Sequence, residues 1–167
     1  LENKLRNTIN IYLKVNVGYD RAGVDYNSDL IENIISYCDS SSKLNFVGFL
    51  SHFGDTYNSK SSEDIHNSFD NSLDKISYLN KNYPDFEISI GDTPSSSLIK
   101  KYPEFVTEIR PGNFVFYDLD QLKIGSCNLD QIAIRLVCPL ISIYENRNSL
   151  LLYGGSVHFS KDYIIEN

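Results

Sequence analysis

Residues 46–57 read FVGFLSHFGDTY, and this stretch carries the pattern from which the fold is predicted. Its first six residues are mainly apolar or aromatic, which predicts a buried strand, and the polar residues after them predict a loop. Apolar residues at helical spacing then predict a helix over Ser62–Asn80, and a further apolar run over Phe86–Ile90 predicts the next strand, which Gly91 ends. The helix positions are Ile65, Phe69, Leu73, Ile76 and Leu79. A strand, a helix and a strand in this order predict a parallel βαβ unit.

The same alternation extends to both sides of this unit. Upstream, NIYLKVNV at Asn10–Val17 predicts a strand, and Asp29 is expected to cap the helix that follows it. Downstream, Thr93 is expected to cap a short helix, and Phe105–Ile109 predicts a fourth strand. A complete (β/α)8 TIM barrel needs about 250 residues. We therefore expect an α/β fold that is the second half of such a barrel.

The pattern changes in the last quarter of the chain. Between 132 and 137 isoleucines and leucines alternate with other residues, and no helical period is present. A polar YENRN segment at 144–148 then precedes LLLY at 150–153. An alternating run, a polar turn and a second apolar run predict a β-hairpin.

A domain boundary is therefore expected between Asp118 and Asn128. Residues 1–120 would form the half-barrel, and residues 128–167 would begin a β domain. The chain starts at Leu1 and contains no methionine, which we interpret as the sign of an internal piece of a longer protein.

Composition excludes several classes of partner. The net charge is -7 and lysines and arginines do not cluster, which argues against a nucleic-acid-binding surface. No apolar run approaches the length of a membrane span. Cys38, Cys127 and Cys138 form no CxxC pair or disulfide framework, so reduced thiols in a cytoplasm are expected.

Each predicted strand of the half-barrel is followed by a polar segment. These segments are GYDRAGV (18–24), SHFGDTY (51–57), IGDTPS (90–95) and EIRPGNFVFYD (108–118). Each is weak evidence alone, because a Gly-Asp-Thr-Pro turn is usually a helix cap and a lone histidine is usually structural. In α/β barrels, however, the chemistry lies at the carboxyl ends of the strands. Four such segments in succession predict one site.

This site is expected to prefer anions. Arg21 and Arg110 supply fixed positive charge, and no set of carboxylates with metal-ligand spacing opposes them. The helix start near Thr93 offers N–H groups and the positive end of a helix dipole. A phosphorylated cofactor is therefore favoured over a metal-based mechanism. Its expected donors are Thr93, Ser95, Gly112 and Asn113.

In this order and spacing, the four segments resemble the barrel of alanine-racemase-fold (fold-type III) pyridoxal-phosphate enzymes. The D-threonine aldolase and D-serine dehydratase branch is the most similar, and LLYGGSVHFSKD (151–162) resembles its second-domain segment. The resemblance runs from Asn10 to Asp162. It implies pyridoxal 5'-phosphate as the cofactor and a small D-amino acid as the substrate. The reaction would be a lyase reaction, either retro-aldol cleavage or elimination of the β-hydroxyl.

The resemblance also implies roles for individual residues. Arg21 would lie near the cofactor's phenolic oxygen and the substrate carboxylate, while His52 and Tyr57 would flank the pyridine ring. Arg110 matches the racemase arginine that faces the ring nitrogen, and Glu108 could orient it or could be a surface carboxylate. The phosphate would be held by Thr93, Ser95, Gly112 and Asn113.

Three features depart from the family pattern. Asn16-Val17-Gly18 stands where members often have Asp-Thr-Gly, which could alter how the Arg21 loop is held. No residue matches the lysine that bonds the cofactor on the first barrel strand; Lys14 lies on a strand but does not correspond to it. His158-Phe159-Ser160 lacks the cysteine of the branch's His-x-Cys metal pair. A divalent metal is therefore expected only in the full-length protein, with ligands outside this chain.

Two alternatives to a lyase remain. An amino-acid racemase of the alanine type is the first, and Arg110 is the best argument for it. A non-catalytic pyridoxal-phosphate-binding barrel protein is the second, although such carriers generally lack the β domain. In any of these cases we expect the parent protein to be a homodimer and the 167-residue piece to be inactive alone.

Overall fold

The computed structural model describes residues 4–155, 157–161 and 163–164. In chain order the elements are β1 Ile9–Asn16, β2 Val24–Asp25, α1 Leu30–Asp39, β3 Leu44–His52, α2 Ser62–Asn82, β4 Glu87–Gly91, α3 Thr93–Leu98, β5 Glu108–Ile109, α4 Leu119–Lys123, β6 Leu140–Tyr144 and β7 Ser149–Leu152. The first five strands form a parallel sheet in the order β2-β1-β3-β4-β5, and β6 pairs with β7 antiparallel. The predicted parallel α/β architecture is confirmed.

The core lies between one face of the sheet and the helices α1 and α2. Phe49 on β3 and Ile88 on β4 have no exposed surface, and Ile76 on α2 is equally buried against them. Complete burial of such a side chain contributes about 1.5–3 kcal/mol. The helical period of α2 and the apolar runs of the strands therefore account for this layer.

Side-chain caps begin α2, α3 and α4, and the starts of two helices, α1 and α3, differ from the prediction. The Ser61 hydroxyl caps α2 by accepting the Asp64 N–H at 3.1 Å. For α3 the cap is Asp92 and not Thr93, because the Asp92 carboxylate accepts the Ser95 N–H at 2.7 Å. Asp29 occupies the N-cap position of α1, as predicted, but its side chain makes no capping bond.

Two strands differ from the expected ones. Regular pairing in β5 is limited to Glu108–Ile109, although Thr107 N–H and Arg110 N–H also donate to the β4 carbonyls of Ile88 (2.9 Å) and Ile90 (2.8 Å). The two-residue strand β2, which no apolar run marks, returns from the Arg21 loop to pair with the end of β1.

The hairpin predicted near the carboxyl end is confirmed, with a turn at Glu145–Arg147 and Asn148 in the left-handed region (φ 46°). The expected strand over 132–137 is wrong, because these residues join no ladder. The helix α4, Leu119–Lys123, lies within the segment between Asp118 and Asn128 where a domain boundary is expected. That boundary stays a prediction. Within the described ranges, no helix is long and apolar enough to cross a membrane.

Candidate active site

The carboxyl ends of the parallel strands meet at one edge of the sheet. In register, Val15 on β1 faces Ser51 on β3, and His52 faces Gly91 on β4. Since the polar segments follow these positions directly, their side chains converge. The His52 ring lies 5.6 Å from the Tyr19 ring and 5.9 Å from the Tyr57 ring, measured between centroids. The structure therefore brings three of the four polar segments into contact around His52.

His52 is half-buried, and its ring is fixed by one hydrogen bond. Nδ1 lies 2.9 Å from the Gly91 carbonyl oxygen, so Nδ1 carries the proton and donates it. Burial lowers the pKa of His52 below its ordinary value, and the positive charges of Arg21 and Lys14 lower it further. The Gly91 hydrogen bond and the Asp92 carboxylate oppose this shift. Near neutral pH His52 is therefore uncharged, and the lone pair of Nε2 can accept a proton.

Tyr57 lies in the 3₁₀ turn Gly54–Asn58, which follows β3. Its hydroxyl oxygen accepts the backbone N–H of Thr93 at 3.2 Å, and so connects this turn to the start of α3. The hydroxyl proton of Tyr57 has no acceptor within the described residues. Tyr57 therefore both joins two loops of the site and offers a donor to a ligand.

Asp92 is a buried carboxylate that sequence reasoning did not assign to the site. It accepts hydrogen bonds from the Thr56 hydroxyl (2.7 Å), from the Ser95 N–H (2.7 Å) and from the Ser95 hydroxyl. Burial raises the pKa of the Asp92 carboxyl, and these hydrogen bonds hold it down in part. Its role is to join the turn after β3 to α3. The signal available in the sequence was the Asp-Thr-Pro order, which allows Asp as well as Thr to be the cap.

The donors predicted for a phosphate are divided between the interior and the surface. Thr93 is fully buried, and its Oγ1 accepts the Asn113 N–H at 2.8 Å. The N–H and hydroxyl of Ser95 are both donated to Asp92. Gly112 is exposed, with open space around its Cα and no acceptor for its N–H among the described residues. In this conformation Gly112 is the accessible donor of the four, while Thr93 and Asn113 join the 110–113 turn to α3 and Ser95 holds Asp92.

Arg110, just after the edge strand β5, is fixed by hydrogen bonds to the two neighbouring strands β4 and β3. Its Nε donates to the Ser89 hydroxyl at 2.6 Å, and Nη2 donates to the Ser51 carbonyl at 2.8 Å. The Ser89 hydroxyl in turn donates to Glu108, whose carboxylate lies 3.7 Å from Arg110 Nε. Glu108 therefore acts on Arg110 directly and through Ser89, as expected from their positions on one face of β5.

Arg21 is exposed and lies beside an aromatic ring. Its guanidinium carbon is 5.5 Å from the centroid of Tyr19, within the range of a cation–π contact. The Tyr19 ring covers Gly54 so closely that a Cβ at that position would overlap it. Tyr19, which the sequence analysis did not single out, thus connects Arg21 to His52.

No group of three His, Cys, Asp or Glu side chains suited to a metal occurs in the described part of the chain.

The comparisons with known proteins agree on one family. The model of the "Alanine racemase, N-terminal domain" family matches residues 1–120. A D-serine dehydratase from Dictyostelium discoideum is 33% identical over 174 residues, which cover 96% of this chain and 43% of that protein. The chain therefore spans less than half the length of this curated relative.

Solved structures agree on the fold. D-threo-3-hydroxyaspartate dehydratase from Delftia sp. HT23 superposes with a TM-score of 0.78 at 19% identity, over 93% of this chain and 42% of that one. D-threonine aldolase from Filomicrobium marinum gives a TM-score of 0.59 at 21% identity, over 70% and 32% of the two chains. At these identities the structures show the fold alone, whereas the family model matches most of the chain by sequence. The chain belongs to the alanine racemase N-terminal domain family.

Proposed function

We propose that this chain forms the cofactor-facing part of a pyridoxal-phosphate-dependent lyase that acts on a small D-amino acid, of the D-serine dehydratase type. The observation that carries the proposal is the convergence of an uncharged His52, Tyr57 and two arginines at the carboxyl edge of one parallel sheet. The 33% identity to a D-serine dehydratase supports a dehydratase over an aldolase.

The donors at this edge fit the chemistry of pyridoxal phosphate. A phosphate needs several N–H or O–H donors, and the Gly112 N–H is accessible for this purpose. The Thr93 hydroxyl proton has no acceptor in the described chain and is therefore available to a ligand. Thr93 is buried, however, and its hydroxyl oxygen accepts the Asn113 N–H. Contact between Thr93 and a phosphate therefore requires the 110–113 turn to shift. Asn113 would complete the cradle by tying that turn to Thr93, and Ser95 would do so by holding Asp92 at the start of α3. Arg110 would face the ring nitrogen.

The chain's own residues would divide the remaining work. When bound, the cofactor withdraws electrons from the α-carbon of the amino acid. Arg21 would bind the substrate carboxylate, since an exposed guanidinium matches a carboxylate in shape and charge. His52 Nε2 would accept or return a proton, which its lowered pKa permits near neutral pH. Tyr57 would offer its hydroxyl proton to the same space.

A racemase is the second candidate, and the fixed position of Arg110 favours it. An arginine beside the ring nitrogen keeps that nitrogen unprotonated, which weakens electron withdrawal by the ring. Such weakening suits a simple proton exchange better than elimination of a β-hydroxyl. The three hydrogen bonds from Arg110 to Ser89 and Ser51 show that this guanidinium is held in one place.

The architecture of the whole protein is part of the proposal. Residues 1–120 would complete one half of a barrel, and residues 128–167 would begin a β domain. We further propose that the parent protein is a homodimer. A cytoplasmic location is proposed as well, since the sequence has no CxxC pair and Cys127 and Cys138 form no disulfide within the described residues. Any divalent metal would be bound by residues outside this chain.

The test is a product assay on the full-length protein that contains this chain. Purified protein would be incubated with pyridoxal phosphate and one substrate at a time: D-serine, D-threonine or D-alanine. A dehydratase releases a keto acid and ammonia from D-serine, an aldolase releases an aldehyde and glycine from D-threonine, and a racemase produces L-alanine. Arg21→Ala and His52→Ala should abolish the product, whereas His66→Ala, on the outer side of α2, should not. No product with any substrate would contradict an enzymatic role.

A second experiment tests the 167-residue chain alone. We expect no stoichiometric bond to the cofactor, because Lys14 corresponds to no cofactor-bonding lysine. After incubation with pyridoxal phosphate and reduction with borohydride, mass spectrometry should find only scattered, substoichiometric labelling. One lysine labelled to completion, with turnover of D-serine, would show that the piece is active by itself.

A further inference from the structure

The side chain of Asn16, the last residue of β1, makes four hydrogen bonds to the loop that follows it. Oδ1 accepts the N–H groups of Gly18 (3.2 Å) and Asp20 (3.1 Å). Nδ2 donates to the carboxylates of Asp20 (2.7 Å) and Asp25 (3.0 Å). Because backbone N–H groups only donate and ionised carboxylates only accept, these partners fix which end of the amide is oxygen and which is nitrogen.

The loop held in this way has a demanding backbone. Gly18, Asp20 and Gly23 have φ values of 131°, 55° and 120°, in the region that favours glycine. A Cβ on Gly18 would lie 3.0 Å from the Lys75 ammonium nitrogen, so this position is also tightly packed. Interactions elsewhere must stabilise such a conformation, and the Asn16 amide supplies four of them.

The charges around Asn16 explain why an amide is required there. Asp20 and Asp25 point their carboxylates at Nδ2, and Asp55 lies close to the same loop. Lys75 donates to the Val17 carbonyl at 2.6 Å and forms no ion pair with Asp20 or Asp25 among the described residues. An aspartate at position 16 would keep both acceptor contacts, but it would place a third carboxylate against the first two. The amide is therefore matched to its acidic neighbours.

We propose that Asn16 is the positioning residue for Arg21. By holding residues 18–25 in one conformation, its amide fixes Tyr19 against Gly54 and keeps the Arg21 guanidinium beside Tyr19 at the edge of the sheet. The effect of Asn16 on substrate binding rests on the role proposed for Arg21. The effect of Asn16 on the conformation of residues 18–25 is independent of that role.

The experiment compares Asn16→Asp with the double variant Asn16→Asp/Asp20→Asn in the full-length protein. The double variant restores one donor–acceptor pair with its polarity reversed, and asparagine tolerates the positive φ of position 20. Limited trypsin digestion after Arg21 measures how often the loop opens, because cleavage of a native loop requires local unfolding. Cleavage after the exposed Lys101, in a separate loop, is the internal control.

Asn16→Asp should be cut after Arg21 at least roughly tenfold faster, and the double variant should recover most of this protection. Cleavage after Lys101 should stay unchanged. An unchanged rate after Arg21 in Asn16→Asp, or a double variant cut as fast as the single one, would overturn the inference.

A kinetic measurement separates this inference from the proposed function. If Arg21 binds the substrate carboxylate, Asn16→Asp should raise the KM for D-serine more than it lowers kcat, and the double variant should reverse this. Faster cleavage after Arg21 with an unchanged KM would leave the Asn16 assignment intact and would remove the role of Arg21 in substrate binding.

Discussion

The two faces of β4 differ in their contacts: one packs in the apolar core, and the other makes hydrogen bonds. Ile88 and Ile90 point to the helices and are buried in the apolar core. On the other face, Glu87 accepts a hydrogen bond from the Tyr12 hydroxyl, and Ser89 connects Arg110 to Glu108. Alternate residues of one five-residue strand thus supply the apolar core on one face and, through Ser89, the polar network that holds Arg110 on the other. Substitutions on the two faces should therefore have different consequences.

The largest effect on stability is expected on the apolar face. Ile88→Ala removes a fully buried side chain and leaves a cavity, so the free energy of unfolding should fall by about 2–5 kcal/mol. Urea denaturation followed by circular dichroism measures this change. Ile109→Ala, at a position 42% exposed, is the control and should cost much less. An equal loss in both variants would mean that the core lies elsewhere.

Thr93→Val should have the next largest effect. The isosteric change removes the fully buried Thr93 hydroxyl that accepts the half-buried Asn113 N–H, which should cost about 1–3 kcal/mol. If Thr93 also contacts the phosphate, the Kd for pyridoxal phosphate in the full-length protein should rise roughly tenfold or more. Ser97→Ala, which removes a hydroxyl bonded to the Thr93 carbonyl later in α3, should leave that Kd nearly unchanged. A lower stability with an unchanged Kd would confine Thr93 to a structural role.

Ser89→Ala tests the polar face directly. It leaves Arg110 Nε and Glu108 without the hydroxyl between them, and we expect a loss of about 1–2 kcal/mol. The matched control is Ser77→Ala, whose hydroxyl bonds only a carbonyl within α2 and should change stability by about 0.5 kcal/mol or less. A crystal structure of Ser89→Ala should show Arg110 displaced. An unmoved guanidinium would show that the Ser51 carbonyl alone is sufficient to hold it.

His52 should give the smallest effect, visible only as a dependence on pH. Because the pKa of folded His52 is lowered, mainly by burial, the unfolded chain binds the proton more readily than the folded one. The contribution of uncharged His52 to the free energy of unfolding is complete above the pKa of histidine in the unfolded chain, about 6.5. It is lost as the pH falls through the pKa of His52 in the folded protein. His52→Asn keeps a donor for the Gly91 carbonyl but does not titrate. The Tm difference between wild type and variant should therefore change between about pH 7.5 and pH 5; a constant difference would contradict the shift.

The sequence was sufficient to predict the features that depend on periodicity. The apolar spacing in α2 and the runs in β3 and β4 identified the parallel sheet, because burial on one face imposes that pattern. The turn at 144–148 similarly identified the hairpin. The strand over 132–137 was wrong because alternation alone does not supply a pairing partner.

The site was only partly predictable for a related reason. The positions of His52 and Arg110 at strand ends predicted that both lie at one edge of the sheet, whereas their individual roles were implied only by the family resemblance. Asp92 and Tyr19 could not be assigned, because their roles depend on contacts with Thr56 and Gly54, which are distant in the chain. Likewise, the sequence could not show that Ser95 donates to Asp92 and so is not free for a ligand.

We propose that the carboxyl edge of this sheet holds pyridoxal phosphate, and a crystal structure of the full-length protein grown with the cofactor would test this. We expect the phosphate within hydrogen-bonding distance of the Gly112 N–H, the pyridine nitrogen facing Arg110, and the ring beside His52 and Tyr57. Cofactor bound on another surface, or bound at this edge without contact to either Gly112 or Arg110, would contradict it.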